Sequence, residues 1–507
     1  MKLERTKNAT RNVAWGIIEK IVTLVLGFAT RTVLIYALGT EYLGLNSLFT
    51  SILSVLSISE LGFGTAIAFS MYRPIAEDDN ETLCALLNVY RKIYRVVGSI
   101  ILIVGLAIIP FLPRLISGTY PADVNLYVLY FIYLFNTVIS YFMYAYKAVL
   151  FSAHQRNDLT SKRSAVIQSV GNILRIVLLL LFKNYYIYAL VLPLITLVTN
   201  LANAYLATKM FPNAKCAGSI SPEMKEGIKK RIIGLLSFKI YNVIFTSVDS
   251  IVISAFLGIE ALGIYDNYHY IQVSIVSFLK IFTASITAGI GNKMVTNTVD
   301  ENYVDFKNVV FINGWVVSWC SICLVCLYQH FMDVWVGSDL TFPFHTMVLM
   351  VLYFYLPRLT TLTYTYREAA GLWWEDRFRP LVSTIVNLVT NIILVQFIGM
   401  DGVIISTLIC TVLINVPWGT HALFKNYFKR SAREYFMQLL YYTVITMLAG
   451  VATLGVCSLL PESGIISFVI KCGICAILPN IILGVCYHRR SEFEFSRKLA
   501  NRFIKGK

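Results

Sequence analysis

Eight basic side chains fall inside stretches apolar and long enough to cross a membrane: Lys20, Arg31, Lys147, Arg175, Lys239, Lys280, Arg358 and Lys471. An ionisable group at that depth costs about 2.5 to 3.5 kcal/mol on insertion scales, so it faces a bundle interior or a watered cavity. Several such cations together suit a polyanion such as a diphosphate, because ammonium and guanidinium groups give charge-assisted hydrogen bonds to its oxygens. Lys147 lies near a helix end and is expected to snorkel. Lys20 and Arg31 are eleven positions apart, three helical turns, and share one face of the first span with Gly27 between them. Lys239, Asn242, Thr246 and Asp249 form the corresponding stripe on the seventh span. Lys280 and Glu60 fall in the cytoplasmic halves of the eighth and second spans, and Asp266 and His269 in the outer half of the eighth. Lys20, Arg31, Lys239, Lys280 and Arg358 are therefore the candidate anion-binding residues of a cationic cavity. Glu60, Asp249, Asp266 and His269 are candidates for coupling-ion binding or internal ion pairs. The competing reading is pairing throughout, for example Lys20 with Glu60 or Arg31 with Asp249. Six deep cations, leaving out Lys147 and Lys471, face Glu19, Glu60, Asp249 and Asp266, so full pairing still leaves a positive surplus.

Other chemistries find little support. Cys320, Cys323 and Cys326 in WCSICLVC have ferredoxin-like spacing but sit mid-span with no loop and no fourth ligand, so they read as small apolar packing residues. Cys472 and Cys475 in KCGIC read the same way, and ten cysteines imply no disulfide framework. No phosphate-cradling loop before a Gly-Lys, no HExxH and no nucleophile–base pair is present, so no catalytic residue, metal or cofactor is expected. Trp373 and Trp374 beside Arg377 and Arg379 read as an interfacial belt.

Long helices must carry these charges. Of 507 residues 57% are hydrophobic and 14% charged, with a mean hydropathy of +0.68, values that place the chain among all-α polytopic membrane proteins. About fourteen transmembrane helices are expected, the first over 13–38, the second over 41–72, the fourth over 122–150 and the last over 464–487. Alternate connections collect 33 of the 43 Lys and Arg on one side, and the other side holds only Arg114 and Lys183. Both termini are thereby expected in the cytoplasm, and the net charge of +15 faces anionic lipid heads, so no nucleic-acid partner is expected. The tail SEFEFSRKLANRFIKGK reads as a basic surface helix on the membrane. Outer connections are short, the longest about ten residues around VWVGSDLTF, which disfavours a glycan-processing enzyme with an external catalytic domain.

The phrase LGTEYLGLN at 38–46 returns as LGIEALGIY at 257–265, an offset of 219 that also relates VGNI at 170–173 to VTNI at 389–392 and Lys20 to Lys239. Each copy joins two spans in about four residues: Gly39 and Gly258 suit a left-handed helix end, and Glu41 and Glu260 suit the first turn of the next helix. Six spans per repeat is an even number, so the halves are parallel and related by a pseudo-twofold along the membrane normal. The expected organisation is an N-lobe over 1–208 with helices 1–6, a cytoplasmic linker over 209–231 and a C-lobe over 232–424 with helices 7–12. Two extra C-terminal helices over 425–487 and a basic cytoplasmic tail over 488–507 complete it.

The run from NVAWGIIEK through LGTEYLGLN to ELGFGTAIAFSMYRPIAEDD resembles the N-terminal part of Wzx-type polysaccharide repeat-unit flippases, which serve O-antigen and capsule synthesis. They belong to the multidrug/oligosaccharidyl-lipid/polysaccharide exporter superfamily. The resemblance implies a flippase moving undecaprenyl-diphosphate-linked oligosaccharide to the outer leaflet by alternating access. It also implies the bacterial cytoplasmic membrane as location, with the lipid-linked oligosaccharide, membrane lipids and polysaccharide polymerase machinery as partners. A multidrug or cation extruder of the same superfamily is the alternative; it would need an acidic cavity, against which the surplus of deep cations argues. Coupling is open between a proton or sodium ion on Asp249, Asp266 or His269 and the membrane potential acting on the anion, about 2.3 kcal/mol per charge per 100 mV.

Overall fold

The computed structural model describes residues 5–57, 63–461 and 464–504, and among these the regular structure is entirely helical. The chain divides into two compact units, Met1–Asn267 and Tyr268–Lys507. The first holds α1 (Arg5–Ala37), α2 (Thr40–Leu56), α3 (Phe63–Ala76), α4 (Asn80–Ile108), α5 (Leu126–Phe142), α6 (Val149–Ala153), α7 (Asn157–Phe182), α8 (Tyr185–Met210), α9 (Pro222–Leu257) and the start of α10 (Ile259–Thr296). The second holds the rest of α10, α11 (Val299–Val336), α12 (Phe344–Leu359), α13 (Thr361–Ala369), α14 (Arg379–Ile409), α15 (Val416–Leu423), α16 (Arg433–Cys457), α17 (Ile465–Tyr487) and α18 (Ser491–Ile504).

Local chemistry sets the helix starts. Asp79 accepts the Thr82 N–H at 3.0 Å, and hydrogen bonding from Thr82, its side chain first and then its N–H, holds the Asp79 carboxyl below the usual carboxylate range. Ser221 caps α9 with Pro222 at its first position, and Thr298 and Glu301 form a reciprocal capping box on α11. Ten of the described helices are long and apolar enough to cross a membrane, or eleven if one bent pair is a single span. The fourteen expected crossings exceed that number because several are broken. The fourth, over 122–150, is α5 followed by a 3-10 turn and α6, bent by 56° after Tyr144 takes φ 62. The second is split between α2 and α3, with 58–62 outside the described residues. The eleventh and twelfth run together in α14, where Ile398 and Gly399 leave helical geometry and Gly399 takes φ 55. The chain reverses there, since Asn387 bonds to Thr407 Oγ1 at 3.0 Å and Gly402 packs on the Leu394 carbonyl.

The C-terminal segment differs from a helix lying only on lipid. Phe493 of α18 stacks on Trp315 of α11 with ring centroids 5.8 Å apart, and Glu492 is buried. We expect Phe493→Ala to lower stability by about 1 to 2 kcal/mol, because it removes an aromatic pair and its buried area. Thermal unfolding in detergent reads this, and a change under about 0.3 kcal/mol would mean the tail docks without contributing.

Candidate functional site

The repeated phrase is where the first unit closes. Gly39 and Gly258 each end one helix and begin the next with φ 116, ψ 168 and φ 93, ψ 173. This is not the left-handed helical conformation expected from sequence; the positive φ with extended ψ is a region open essentially to glycine alone, and it reverses the chain within one residue. Glu41 and Glu260 do fall in the first turns that follow. A Cβ on Gly44 would run into the Ile259 carbonyl, and a Cβ on Gly263 into the Thr40 carbonyl. Thr40 and Ile259 are repeat equivalents, as are Gly44 and Gly263, each pair 219 apart. Such reciprocity, in which one residue touches the counterpart of its own counterpart's contact, is the signature of a twofold axis between the two hairpins.

Polar bonds tie the same end together. Arg31 Nη2 lies 2.6 Å from Asp266 Oδ2, and its Nη1 donates to Asn267 Oδ1 at 3.1 Å. Arg31 thus has Asp266 as a carboxylate partner, a pairing the sequence did not single out. The helical period of α1 could not decide the partner, because that choice depends on how α10 is rotated against α1. Ser254 Oγ donates to the Leu115 carbonyl at 2.7 Å and the Ser117 N–H to the Ser254 carbonyl at 2.8 Å, so α9 is fastened to the segment after α4. Beside this seal Tyr133 donates to Asn46 Oδ1 at 2.7 Å and meets the Tyr185 hydroxyl at 2.9 Å, and the Tyr185 ring stacks on Tyr188. The Arg175 guanidinium lies 4.0 Å over the Tyr188 ring; its Nε is buried without a hydrogen-bond partner, and it makes no ion pair among the described residues.

The remaining expected residues are distributed as follows. Lys20 is exposed on α1, Lys280 is exposed on α10, and Arg358 is half-buried on α12. Lys239 is on α9, but its side chain lies outside the described residues, as does Glu60 altogether. Asp249 is 1% exposed on α9 among buried Ser247, Ser250 and Ser254. His269 is half-buried, its ring 6.2 Å edge-on from Tyr353. Lys147 donates to Thr208 Oγ1 at 2.7 Å. The interfacial belt fits Trp374, which is exposed with Arg377 stacked 3.6 Å from its ring. It does not fit Arg379, which is 3% exposed and bonds Asp376 at 2.8 Å and Asn415 Oδ1 at 2.7 Å, while Arg367 bonds the other Asp376 oxygen. A carboxylate three residues upstream and an acceptor on the following span draw this arginine inward.

Sequence reasoning passes over two features. Arg175 counts among the deep cations but receives no role there, although an arginine one helical pair from a tyrosine-rich YYIY segment is a usable signal. The other is a cavity of about 440 Å³ in the first unit, with Glu19, Tyr90, Tyr94, Thr160, Ser164 and Asn203 among its lining residues. It gathers hydroxyls from five helices, none of which is distinctive alone.

Residues 9–288 match the family described as polysaccharide biosynthesis protein, more than half of the chain. The chain belongs to that family. No curated protein matches it closely. The fold of this polysaccharide biosynthesis family member is similar to that of solved transporters. One is the lipid II flippase MurJ in an inward closed conformation, at 14% identity and TM-score 0.67, covering 93% of this chain and 98% of that one. Another is an inward-facing multidrug resistance MATE family transporter of the MOP superfamily, at 14% identity and TM-score 0.58, covering 81% and 99%. The eukaryotic MATE transporter AtDTX14 shows 14% identity and TM-score 0.57, covering 86% and 98%. The family is thus that of polysaccharide biosynthesis proteins, and the fold is the one these multi-pass membrane transporters share.

Proposed function

We propose that this family member moves undecaprenyl-diphosphate-linked oligosaccharide repeat units from the inner to the outer leaflet of the bacterial cytoplasmic membrane. The repeats over 1–208 and 232–424, joined by the linker 209–231, alternate access to a cavity lined by Lys20, Arg31, Lys239, Lys280 and Arg358, with both termini in the cytoplasm. The observation that carries the reading is Arg175, a cation within the first unit with no carboxylate partner among the described residues, in the unit where Arg31 takes Asp266. Arg175 is half-buried, and a cation at membrane depth without a carboxylate is costly unless something anionic visits it; a lipid diphosphate supplies about two negative charges. The family description and the likeness to a lipid II flippase point the same way. An uncoupled or potential-driven cycle needs nothing further, because expelling an anion from a negative interior is favourable. In an ion-coupled cycle Asp249, Asp266 or His269 takes the ion, and a proton on Asp266 removes its attraction for Arg31 and loosens the seal.

Depletion of the protein is expected to accumulate undecaprenyl-linked glycan in the cytoplasmic leaflet. Arg175→Gln, Lys20→Gln, Lys239→Gln and Lys280→Gln are each expected to cut glycan export at least tenfold while membrane insertion is unchanged. Normal glycans with new drug sensitivity after depletion would overturn the proposal in favour of extrusion. Wild-type export from all four variants would remove the cationic cavity.

A further inference from the structure

Three cysteines from three helices meet inside the second unit. Cys326 of α11, Cys457 at the last position of α16 and Cys475 of α17 are 8%, 2% and 1% exposed, and their sulfurs all lie within 4.8 Å of one another. The Cys457 and Cys475 sulfurs are 4.0 Å apart, and all three residues are free thiols. Zinc–thiolate bonds of about 2.3 Å in tetrahedral array put sulfurs about 3.8 Å apart, a small contraction from what is seen. The two sequence motifs each give one member, Cys326 from WCSICLVC and Cys475 from KCGIC, and the third comes from neither.

The position of Cys475 is fixed by a break in its own helix. Pro479 has no N–H for the carbonyl four residues before it, which leaves the Cys475 carbonyl open. Trp319 Nε1 fills it at 2.9 Å and Cys323 Sγ approaches at 3.5 Å, so α11 holds α17 in the register that brings Cys326 to Cys475.

A second observation points to a ligand. Lys471, one turn before Cys475 on α17, is 5% exposed, and among the described residues it has neither a carboxylate nor a hydrogen-bond partner. A lysine whose stem is buried in an apolar bundle and whose ammonium has no carboxylate partner favours a counter-charge nearby. We propose that Cys326, Cys457 and Cys475 bind one thiophilic divalent cation, Zn²⁺ or its congener Cd²⁺, with Lys471 as counter-ion. Three thiols release three protons and bind M²⁺ as three thiolates. The resulting centre carries one negative charge, and Lys471 makes the site neutral, whereas a monovalent ion such as Cu⁺ would leave an uncompensated charge. The three protein ligands leave a fourth position of the ion open and fasten α16 and α17 to α11.

The test uses full-length, tag-free protein in detergent, stripped with chelator under reducing conditions and then titrated with Cd²⁺ or Zn²⁺ alone. Wild type is expected to take up one ion per chain, with a thiolate-to-cadmium charge-transfer band saturating at one equivalent. Cys326→Ser, Cys457→Ser and Cys475→Ser are each expected to lose stoichiometric binding, and Cys320→Ser is expected to keep it. Lys471→Met is expected to weaken binding about 10- to 100-fold, the range for an outer-shell partner. Should a serine variant not fold, the wild-type band decides by itself. Absence of the band, uptake unchanged in the three serine variants, or a Cys457–Cys475 disulfide in place of metal uptake would each overturn the proposal.

Discussion

Replacing Gly44 with valine is expected to abolish glycan export and to destabilise the protein by about 3 kcal/mol or more. Overpacking a core side chain by a methylene or two typically costs about 1 to 3 kcal/mol, because rotamers and neighbours give way. At Gly44 the obstacle is the main-chain carbonyl of Ile259 at the head of α10, which moves only if the helix moves. Gly263→Val meets the Thr40 carbonyl at the symmetry-equivalent place and is expected to behave alike. Gly16 on α1 has open space where a Cβ would be, so Gly16→Ala is the control. It is expected to be neutral or to add up to about 1 kcal/mol from helix propensity. Thermal unfolding and export measured together separate the outcomes. Normal export from Gly44→Val would show that the hairpins need not close on each other during the cycle.

Removing one partner of the Arg31–Asp266 pair is the second large effect. Breaking a fully buried pair costs about 3 to 5 kcal/mol, since the surviving charge is left without a partner. Arg31 and Asp266 side chains retain 11% and 19% exposure, so about 2 to 3 kcal/mol is the expectation for Arg31→Ala. Asp266→Ala takes the carboxylate from Arg31 in a unit that already holds Arg175. The pair joins α1 to α10 beside the repeated hairpins, so, in the proposed orientation with both termini cytoplasmic, either single substitution is expected to raise labelling of cysteines placed inward of Arg31 by an impermeant outside reagent. The charge-exchanged double variant, Arg31→Asp with Asp266→Arg, is expected to recover at least half of the lost stability and to lower labelling again. Failure of the exchange to recover either quantity would mean the two residues act through separate neighbours, Asn267 for Arg31 among them.

Much of the architecture was legible because membrane crossing is a property of one helix at a time. Apolar windows, glycine at short connections and acidic first turns are local, and the structure repeats them at Gly39 and Glu41 and again at Gly258 and Glu260. The offset of 219 was likewise visible, and it anticipated a twofold relation that the Gly44–Ile259 and Gly263–Thr40 contacts then realised. The spans that sequence drew as unbroken were the less successful part. Tyr144 interrupts a helix at a position no breaker residue marks, and the Cys410–Asn415 π-helical segment is announced only by Pro417 beyond its end.

Charge partners were beyond reach for a different reason. A period of 3.6 fixes which residues share a face of one helix, but the azimuth of that face toward a neighbour is set by side-chain packing over the whole interface. The spacing of Lys20 and Arg31 on α1 could therefore be read from sequence, yet only packing gave Arg31 to Asp266. Arg379 likewise went inward to Asp376, and Cys326 met Cys457 and Cys475 and not its own motif. From its own letters the chain determined that it is a repeated bundle of membrane helices carrying surplus positive charge. Tertiary structure alone decided which of those charges have a carboxylate within reach, because pairing depends on distances between helices that no single helix encodes.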